Sequence, residues 1–275
     1  QHNISLSGGS ESFSHRTSLT HSTDQGLLRD NLSERILLKT NIKQKVFDDR
    51  LLLDFNFTNN LRKYSPANYD LFSQAFIQNP TQPVYDDSDP ATGGYSFKQG
   101  LGYYNPVAML NERTREGQTN DIVLNLRATL EITDDLSWSN FNSTQKSEWE
   151  ENSYKTKYYP TILGINGEAE ISNGRNSNTL YESMFNYQKE VNDHDFQVVA
   201  GYTFQEFEMN SSYVGNYNFD TDVFLHNNIS AGSFFREGKS EMGSYQESSR
   251  LIALFGRLMY NYDEKYLASI SLRSE

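Results

Sequence analysis

Residues 120–132 read NDIVLNLRATLEI, and this stretch decides the fold. Its apolar members other than Val123 fall on every second position: Ile122, Leu124, Leu126, Ala128, Leu130 and Ile132. Polar or charged side chains such as Asn125, Arg127 and Glu131 occupy most of the positions between them. Successive side chains of a β-strand point to opposite faces of the sheet. The period of two therefore predicts a strand with one apolar face and one wet face.

The same alternation recurs along the chain and predicts about ten strands. These are residues 3–9, 12–21, 33–47, 51–63, 120–132, 136–149, 178–190, 195–209, 248–262 and 265–275. Most are longer than the roughly 5 to 6 residues of an ordinary strand. Eleven residues tilted by about 40° span roughly 28 Å, close to the roughly 25 Å apolar band of an outer-membrane barrel. The strand lengths therefore favour a membrane barrel over a soluble sandwich.

Tight and longer connections alternate between the predicted strands. Three of the longer ones stand out, at residues 64–119, 150–177 and 210–247. Every second connection of an up-and-down barrel lies on the same side, and outer-membrane barrels have short periplasmic turns and long extracellular loops. The sequence therefore predicts an all-β fold, an antiparallel up-and-down transmembrane β-barrel in which these three loops lie outside the cell.

Composition and motifs exclude several other classes of protein. The 275 residues carry 36 acidic and 24 basic side chains, a balance that argues against nucleic acid binding. The absence of cysteine excludes thiol catalysis and thiolate zinc sites, and the five histidines have no zinc-site spacing. No apolar run approaches the roughly 20 residues of a membrane-spanning helix. Because no catalytic motif is present either, we expect that the chain is not an enzyme.

Several segments resemble, in the family's order, the barrel of SusC/RagA-type TonB-dependent transporters of the Bacteroidetes outer membrane. Residues 2–11, HNISLSGGSE, resemble the segment that begins that barrel, and residues 46–51, VFDDRL, resemble one of its turns. Residues 79–85, NPTQPVY, 104–108, YNPVA, and 254–262, LFGRLMYNY, continue the match. The resemblance implies that the chain is the N-terminal part of a plugged barrel of about 22 strands, with the plug domain outside these residues.

The resemblance also implies a function, which is TonB-dependent import of a large nutrient, a glycan or oligosaccharide or a peptide, across the bacterial outer membrane. It implies a SusD-like surface lipoprotein as partner and a TonB complex reached through an N-terminal region that these residues do not include. Outer-membrane lipid would surround the apolar face, and no cofactor is implied. One alternative is a secreted soluble all-β glycan-binding module, and a β-rich glycoside hydrolase is a third possibility.

Candidate contact residues follow from this barrel. The wet strand positions would line the lumen or meet the plug, unless they are simply solvated: Lys39, Lys43, Asn56, Asn125, Arg127, Glu131 and Gln197. Aromatic side chains in long loops can stack on sugars or anchor a partner protein. Ligand or partner contact is therefore predicted at Tyr103, Tyr104, Asn105, Tyr158 and Tyr159. The alternative role of these five residues is packing inside the loops.

A calcium site is a weaker expectation for the first long loop. Asp86, Asp87 and Asp89 supply oxygen ligands of the kind that hard cations prefer. The segment lacks the glycine and the glutamate that complete an EF-hand loop. The only support for calcium at these three aspartates is therefore the type of ligand atom that they supply.

Overall fold

A computed structural model describes residues 1–98 and 102–275, and these residues form one ten-stranded antiparallel sheet. Each strand pairs with its neighbours in the sequence, from the first to the tenth. The strands are β1 (His2–Gly9), β2 (Phe13–Gln25), β3 (Leu32–Val46), β4 (Leu51–Ser65), β5 (Arg113–Thr133), β6 (Leu136–Lys155), β7 (Glu168–Val191), β8 (His194–Tyr217), β9 (Glu241–Tyr262) and β10 (Tyr266–Ser274). An unbroken meander is the topology of an up-and-down barrel wall, so the predicted fold class is confirmed.

The strands reach further towards the long loops than the sequence predicts. β5 begins at Arg113 rather than at residue 120, β7 begins at Glu168 rather than at 178, and β8 ends at Tyr217 rather than at 209. These extensions carry polar side chains on both faces, so they have no apolar alternation to reveal them. Backbone hydrogen bonds to the neighbouring strands hold these extensions in the sheet. The three long links are correspondingly shorter than predicted, at residues 66–112, 156–167 and 218–240.

The cross-strand register collects the alternating apolar side chains on one face of the sheet, called here the apolar face. Leu126 lies opposite Phe55, which in turn lies opposite Ile42. One position along, Arg127 lies opposite Asp54, which in turn lies opposite Lys43. These three residues lie on the other face of the sheet, called here the polar face. The register places all seven predicted lumen residues on this polar face.

The two faces differ in exposure in the direction that a curved wall requires. On the polar face Ser143, Thr203 and Ala253 are buried, although the wall is only one sheet thick. On the apolar face Leu126 is 42% exposed and Leu254 is 63% exposed. Curling a sheet brings the side chains of its concave side together and spreads those of its convex side. The polar face is therefore the concave one, as the lumen side of a barrel must be.

Helical structure is confined to the long links. The α-helices are α1 (Asp70–Ile77) and α2 (Pro106–Asn111), both in the first link. Short 3-10 turns lie at Pro90–Thr92, Pro160–Ile162, Leu225–Ala231 and Ser233–Phe235. Within residues 1–98 and 102–275, no helix has both the length and the apolar character needed to cross a membrane.

Candidate functional site

The first and second long links share one small hydrophobic core. Leu71 of α1 and Met109 of α2 come from the first link, and Tyr159 and Ile162 come from the second. All four side chains are buried, and Tyr104 packs against them. Because neither link can bury these side chains alone, the two links form a single unit, called here the loop layer.

Tyr159 lies at the centre of the loop layer. Its side chain is 3% exposed, its hydroxyl accepts a hydrogen bond from Asn68 Nδ2 at 3.3 Å, and Lys155 Nζ lies 5.4 Å from its ring centroid. Burial raises the pKa of the Tyr159 hydroxyl above its ordinary value, so the residue is neutral at physiological pH. These contacts give Tyr159 the packing role, and a ligand would reach its ring only if the loop layer opened.

Asn105 is a second buried member of the predicted set. Its Oδ1 accepts hydrogen bonds from the backbone N–H groups of Val107 and Ala108, at 3.0 and 3.3 Å, and so caps α2. Its Nδ2 donates to the carbonyl oxygens of Val84 and Ser96, at 2.7 and 3.2 Å. With both ends of the amide engaged inside the loop, Asn105 also has a structural role.

The other three tyrosines of the set are half-buried. Tyr158 lies with its ring against Gly93, where an added Cβ would be 2.6 Å from the ring. Tyr103 lines a cavity of about 330 Å³ beside Lys98 and Pro83. Tyr104 donates its backbone N–H to Gln74 Oε1 at 2.7 Å. The structure therefore brings the five residues into one layer, and ligand or partner contact at them stays a prediction.

A polar cluster joins the loop layer to the wall. Glu112, next to β5, accepts a hydrogen bond from the Tyr95 hydroxyl on Oε1 at 2.8 Å and one from Thr156 Oγ1 on Oε2 at 2.5 Å. The Tyr95 hydroxyl also accepts from Asn111 Nδ2 at 3.1 Å, and Asn111 in turn accepts from Arg29 in the β2–β3 link. The Glu112 carboxylate thus joins the first and second long links, and Asn111 joins the β2–β3 link to the same cluster.

The third long link is anchored separately. Tyr154 of β6 is almost wholly buried against Ala169 and Phe219, and its hydroxyl donates to Asp222 at 2.7 Å. Asn216 at the end of β8 donates to the carbonyl oxygens of the link at residues 229 and 232, at 2.7 and 2.9 Å. The contacts on Tyr154 and Asn216 hold this link over the loop ends of β6, β7 and β8.

Aromatic rings lie flat on the polar face, each over a glycine of the neighbouring strand. A Cβ added to any of these glycines would fall 2.4 to 2.6 Å from the ring. The cross-strand pairs are Tyr64 with Gly117, Trp149 with Gly174, Tyr213 with Gly243, and Phe255 with Gly201. The first three pairs lie near the loop ends of their strands, so they form a belt of rings at one end of the concave face. Isolated glycines inside strands are the sequence signal that could have revealed this belt.

The aspartates of the first link serve local turns. Asp86 Oδ1 accepts from the Ser88 backbone N–H at 3.0 Å, and Asp89 Oδ1 accepts from that of Ala91 at 2.9 Å. Hydrogen bonding to Ser88 lowers the pKa of Asp86. Within the part of the chain that the structure describes, no three His, Asp or Glu side chains are placed to hold a metal ion. The geometry therefore lends the calcium expectation no support.

Comparison with known proteins agrees with this architecture. No protein-family model matches the chain. The chain is 24% identical over 287 residues to the TonB-dependent receptor P3 of Formosa agariphila, and 24% identical over 300 residues to the TonB-dependent receptor SusC of Bacteroides thetaiotaomicron. Both alignments cover 99% of this chain but only 27% and 28% of the relatives. The chain therefore spans about a quarter of the length of the curated relatives that it matches.

Solved structures show the same fold. A structure of the RagAB peptide importer in its closed-closed state superposes with a TM-score of 0.77 at 15% identity, over 98% of this chain and 31% of that one. The siderophore receptor PiuA from Acinetobacter baumannii superposes with a TM-score of 0.55 at 10% identity, over 98% of this chain and 40% of that one. The resemblance to SusC/RagA-type TonB-dependent receptors is therefore confirmed, and the chain has the fold of part of their barrel wall.

Proposed function

We propose that this chain supplies part of the barrel wall and extracellular loops of an outer-membrane transporter that imports a large nutrient in a TonB-dependent way. The observation that carries the proposal is the division of one ten-stranded sheet into a convex apolar face and a concave polar face. Lipid tails need the first face, and a wet lumen needs the second. The names of the curated relatives, which are those of TonB-dependent receptors, support the same reading.

The two ends of the wall differ in a way that supports its orientation. At one end the strands are joined by tight turns, at residues 10–12, 47–50, 134–135, 192–193 and 263–265. At the other end lie the loop layer and the third link, both with cores of their own. Outer-membrane barrels have short turns on the periplasmic side. We therefore propose that the loop layer faces the outside of the cell.

The outer end also offers a surface suited to a protein partner. On α1 and at the residue before it, Phe72, Phe76 and Tyr69 are exposed, Phe76 by 90%, while Leu71 turns inward to the loop core. Exposed aromatic side chains are typical anchors of protein interfaces. We propose that a SusD-like lipoprotein docks here and that the imported nutrient is an oligosaccharide or a peptide. RagAB, one of the similar structures, is a peptide importer.

A soluble glycan-binding module would need a different distribution of apolar side chains. It would bury Leu124, Leu126, Leu254 and Leu258 in a core, whereas all four are exposed here and lie on one continuous face. The buried clusters of the described residues are small and lie in the links or at the loop ends of β6 and β7. The exposure pattern therefore favours the barrel over the soluble module.

Cysteine labelling at two adjacent positions tests the proposal. Leu126→Cys and Arg127→Cys would each be introduced into the full-length receptor and treated with a membrane-impermeant maleimide in intact outer membranes. We expect labelling at position 127, which faces the lumen, and protection at position 126, which faces lipid. The receptor without either substitution is the matched control. Labelling at 126 with protection at 127 would contradict the barrel orientation.

A further inference from the structure

Two arginine side chains lie next to each other on the polar face, near the loop ends of β3 and β4. Arg35 of β3 lies directly opposite Arg62 of β4, and both side chains are exposed. In the part of the chain that the structure describes, neither guanidinium has an ion-pair partner, whereas Arg115 on β5 is paired with Glu151. Like charges directly opposite each other destabilise a sheet. The arginine pair, as Arg35 and Arg62 are called here, therefore has a cost that a bound anion would remove.

Both guanidiniums of the arginine pair are held in place through one nitrogen. Arg35 Nε donates to Asn60 Oδ1 at 2.6 Å, and Arg62 Nε donates to Ser33 Oγ at 2.9 Å. Arg62 Cζ also lies 4.9 Å from the centroid of the Tyr64 ring. Among residues 1–98 and 102–275, the terminal amino groups of both side chains have no hydrogen-bond partner. These groups are the fork that binds carboxylates and tetrahedral oxyanions with two parallel hydrogen bonds.

The carboxylate of Asp121, on the same face, is already engaged by other side chains. Its Oδ2 accepts from Asn60 Nδ2 at 3.0 Å, and its Oδ1 accepts from Ser147 Oγ at 2.6 Å. Asp121 therefore fixes the Asn60 amide with its oxygen towards Arg35. The aspartate orients the arginine pair through Asn60 and leaves the two positive charges without a direct counter-charge.

The arginine pair lies at the outer end of the lumen. Arg62 lies eleven residues after Leu51, the first residue of β4 at its tight-turn end. At about 3.3 Å per residue and a tilt of about 40°, this is roughly 28 Å along the membrane normal. The distance places the pair at the outer edge of an apolar band of about 25 Å. In the proposed orientation, a nutrient that enters from outside reaches this level first.

An aromatic ring lies further along the same cross-strand row. Arg62 lies opposite Thr119 of β5, and Thr119 lies opposite Trp149 of β6. One side of the Trp149 ring lies against Gly174, so its other side is turned to the lumen. Neighbouring strands are about 4.8 Å apart, which puts Trp149 roughly 10 Å from Arg62 along the wall. An anion site and an aromatic platform thus lie within the reach of one short ligand.

The surroundings of this row suit a sugar better than a peptide. The wall near the arginine pair and the Trp149 ring carries small hydroxyl side chains, which can hydrogen-bond to a ligand rich in hydroxyl groups: Thr119, Ser147, Ser172 and Ser211. Peptides are commonly bound by pairing with a free strand edge or by placing side chains in apolar pockets. β4, β5 and β6 offer no free edge, because each is paired on both sides.

We propose that the arginine pair is an anion-binding subsite at the mouth of the lumen and that the imported nutrient is an acidic oligosaccharide. Arg35 and Arg62 bind its carboxylate or sulfate groups, and the Trp149 ring stacks on a neighbouring sugar. This inference rests on the proposed function and deepens it, since it selects one substrate class from the two that the proposed function leaves open.

Calorimetric titration of the purified full-length receptor in detergent tests the subsite. The probes are a galacturonic acid tetrasaccharide with its neutral methyl ester, a sulfated galactose tetrasaccharide with its unsulfated form, and tetraglutamate. We expect at least one acidic saccharide to bind more tightly than its neutral match by a factor of about ten or more. The Arg35→Gln, Arg62→Gln double variant should lose that factor and should bind the neutral match as before.

Two further variants separate the roles of the side chains. Trp149→Ala should weaken the acidic and the neutral saccharide by the same factor, because stacking does not depend on the charge of the sugar. Arg250→Gln is the matched control, since Arg250 lies on the apolar face and is paired with Glu206. It should leave the affinity for every probe unchanged.

Several outcomes would overturn the inference. Equal affinity for acidic and neutral saccharides, no binding of any saccharide, or an unchanged preference in the double variant would remove the subsite. Binding of tetraglutamate alone would replace the oligosaccharide by an acidic peptide. A double variant that binds the probes as before but unfolds at a lower temperature without ligand would show that the arginines contact the plug instead.

Fractionation of the cells that supply the receptor keeps the proposed function separate. Receptor that is in the outer membrane and shows one of these outcomes would overturn the subsite but not the transporter. Receptor absent from the outer membrane would overturn both. The double variant is compared only when its amount in the outer membrane and its gel mobility match those of the unchanged receptor.

Discussion

Replacing Tyr159 is expected to open the loop layer without unfolding the barrel. The Tyr159→Ala variant removes a ring that is 3% exposed and that packs on Leu71, Met109 and Ile162. Truncating a buried aromatic side chain costs about 3 to 5 kcal/mol. Because the wall is held by its own backbone ladder, this cost falls on the layer alone. At about 1.4 kcal/mol per factor of ten, the low end of the range makes opening about a hundred times more frequent.

Hydrogen exchange of the full-length receptor in detergent measures this opening directly. Amides in residues 156–165 and in α1 should exchange about a hundred times faster in the Tyr159→Ala variant, while those of β7 and β8 should be unchanged. The Tyr159→Phe variant keeps the ring and loses only a 3.3 Å hydrogen bond from Asn68, so its cost should be about 1 kcal/mol. Phe76→Ala is the surface control, since Phe76 is 90% exposed.

Two results would refute this reasoning. If Tyr159→Ala left the exchange of residues 156–165 unchanged, the shared core would not be what joins the two links. If Tyr159→Phe were as damaging as Tyr159→Ala, the hydroxyl rather than the ring would carry the interaction.

Three further predictions concern the wall and the pH dependence of the loops. Gly174→Val should displace the Trp149 ring, which lies 2.6 Å from a Cβ at this position. It should destabilise the barrel by about 1 to 3 kcal/mol in an unfolding assay read by gel mobility. Gly256→Ala, with no ring nearby, is the control, and equal unfolding midpoints of the two variants would contradict the packing of Trp149 on Gly174. Asp54→Asn should change that midpoint by less than about 1 kcal/mol, because its contact with the largely exposed Lys43 is 3.7 Å long; a larger loss would mean that the pair is buried by the plug. Burial raises the pKa of Tyr95 and Tyr159 above the ordinary value of 10.0. The stability that these neutral side chains give the loop layer is therefore complete below pH 10, and it is lost as the pH rises through the higher pKa of the folded state. Proteolysis of the loop layer should therefore accelerate above pH 10, and the Tyr95→Phe, Tyr159→Phe double variant should show no such acceleration.

Alternation predicted the strands because each strand has one apolar and one wet face over most of its length. It could not predict the loop ends of β5, β7 and β8. In residues 168–177, EAEISNGRNS, polar side chains occupy both faces and nothing distinguishes a strand from a loop. These ends exist because a neighbouring strand offers hydrogen bonds, and that information lies elsewhere in the chain.

The candidate site shows the same division between local and distant information. Asn105 followed by Pro106 is a helix start that the sequence itself displays, since an N-cap asparagine and a proline at the first helical position are both typical. The packing of Tyr159 depends on α1 and α2, which lie about fifty to ninety residues earlier. A tyrosine next to a proline looks the same in sequence whether it meets a ligand or a loop core, so only the fold distinguishes its roles.

Under the proposed function, the core shared by the first and second links limits how the receptor can change its cargo. If the first link alone were replaced by that of a relative, the relative's side chains at positions 71 and 109 would pack against the native Tyr159 and Ile162. The core of the loop layer in this chimera would then be mismatched. New specificity is therefore expected to arise by recombination that transfers residues 66–167 as one block, with β5 and β6 between the links carried along. Breakpoints at the tight turns, residues 47–50 and 192–193, preserve that block.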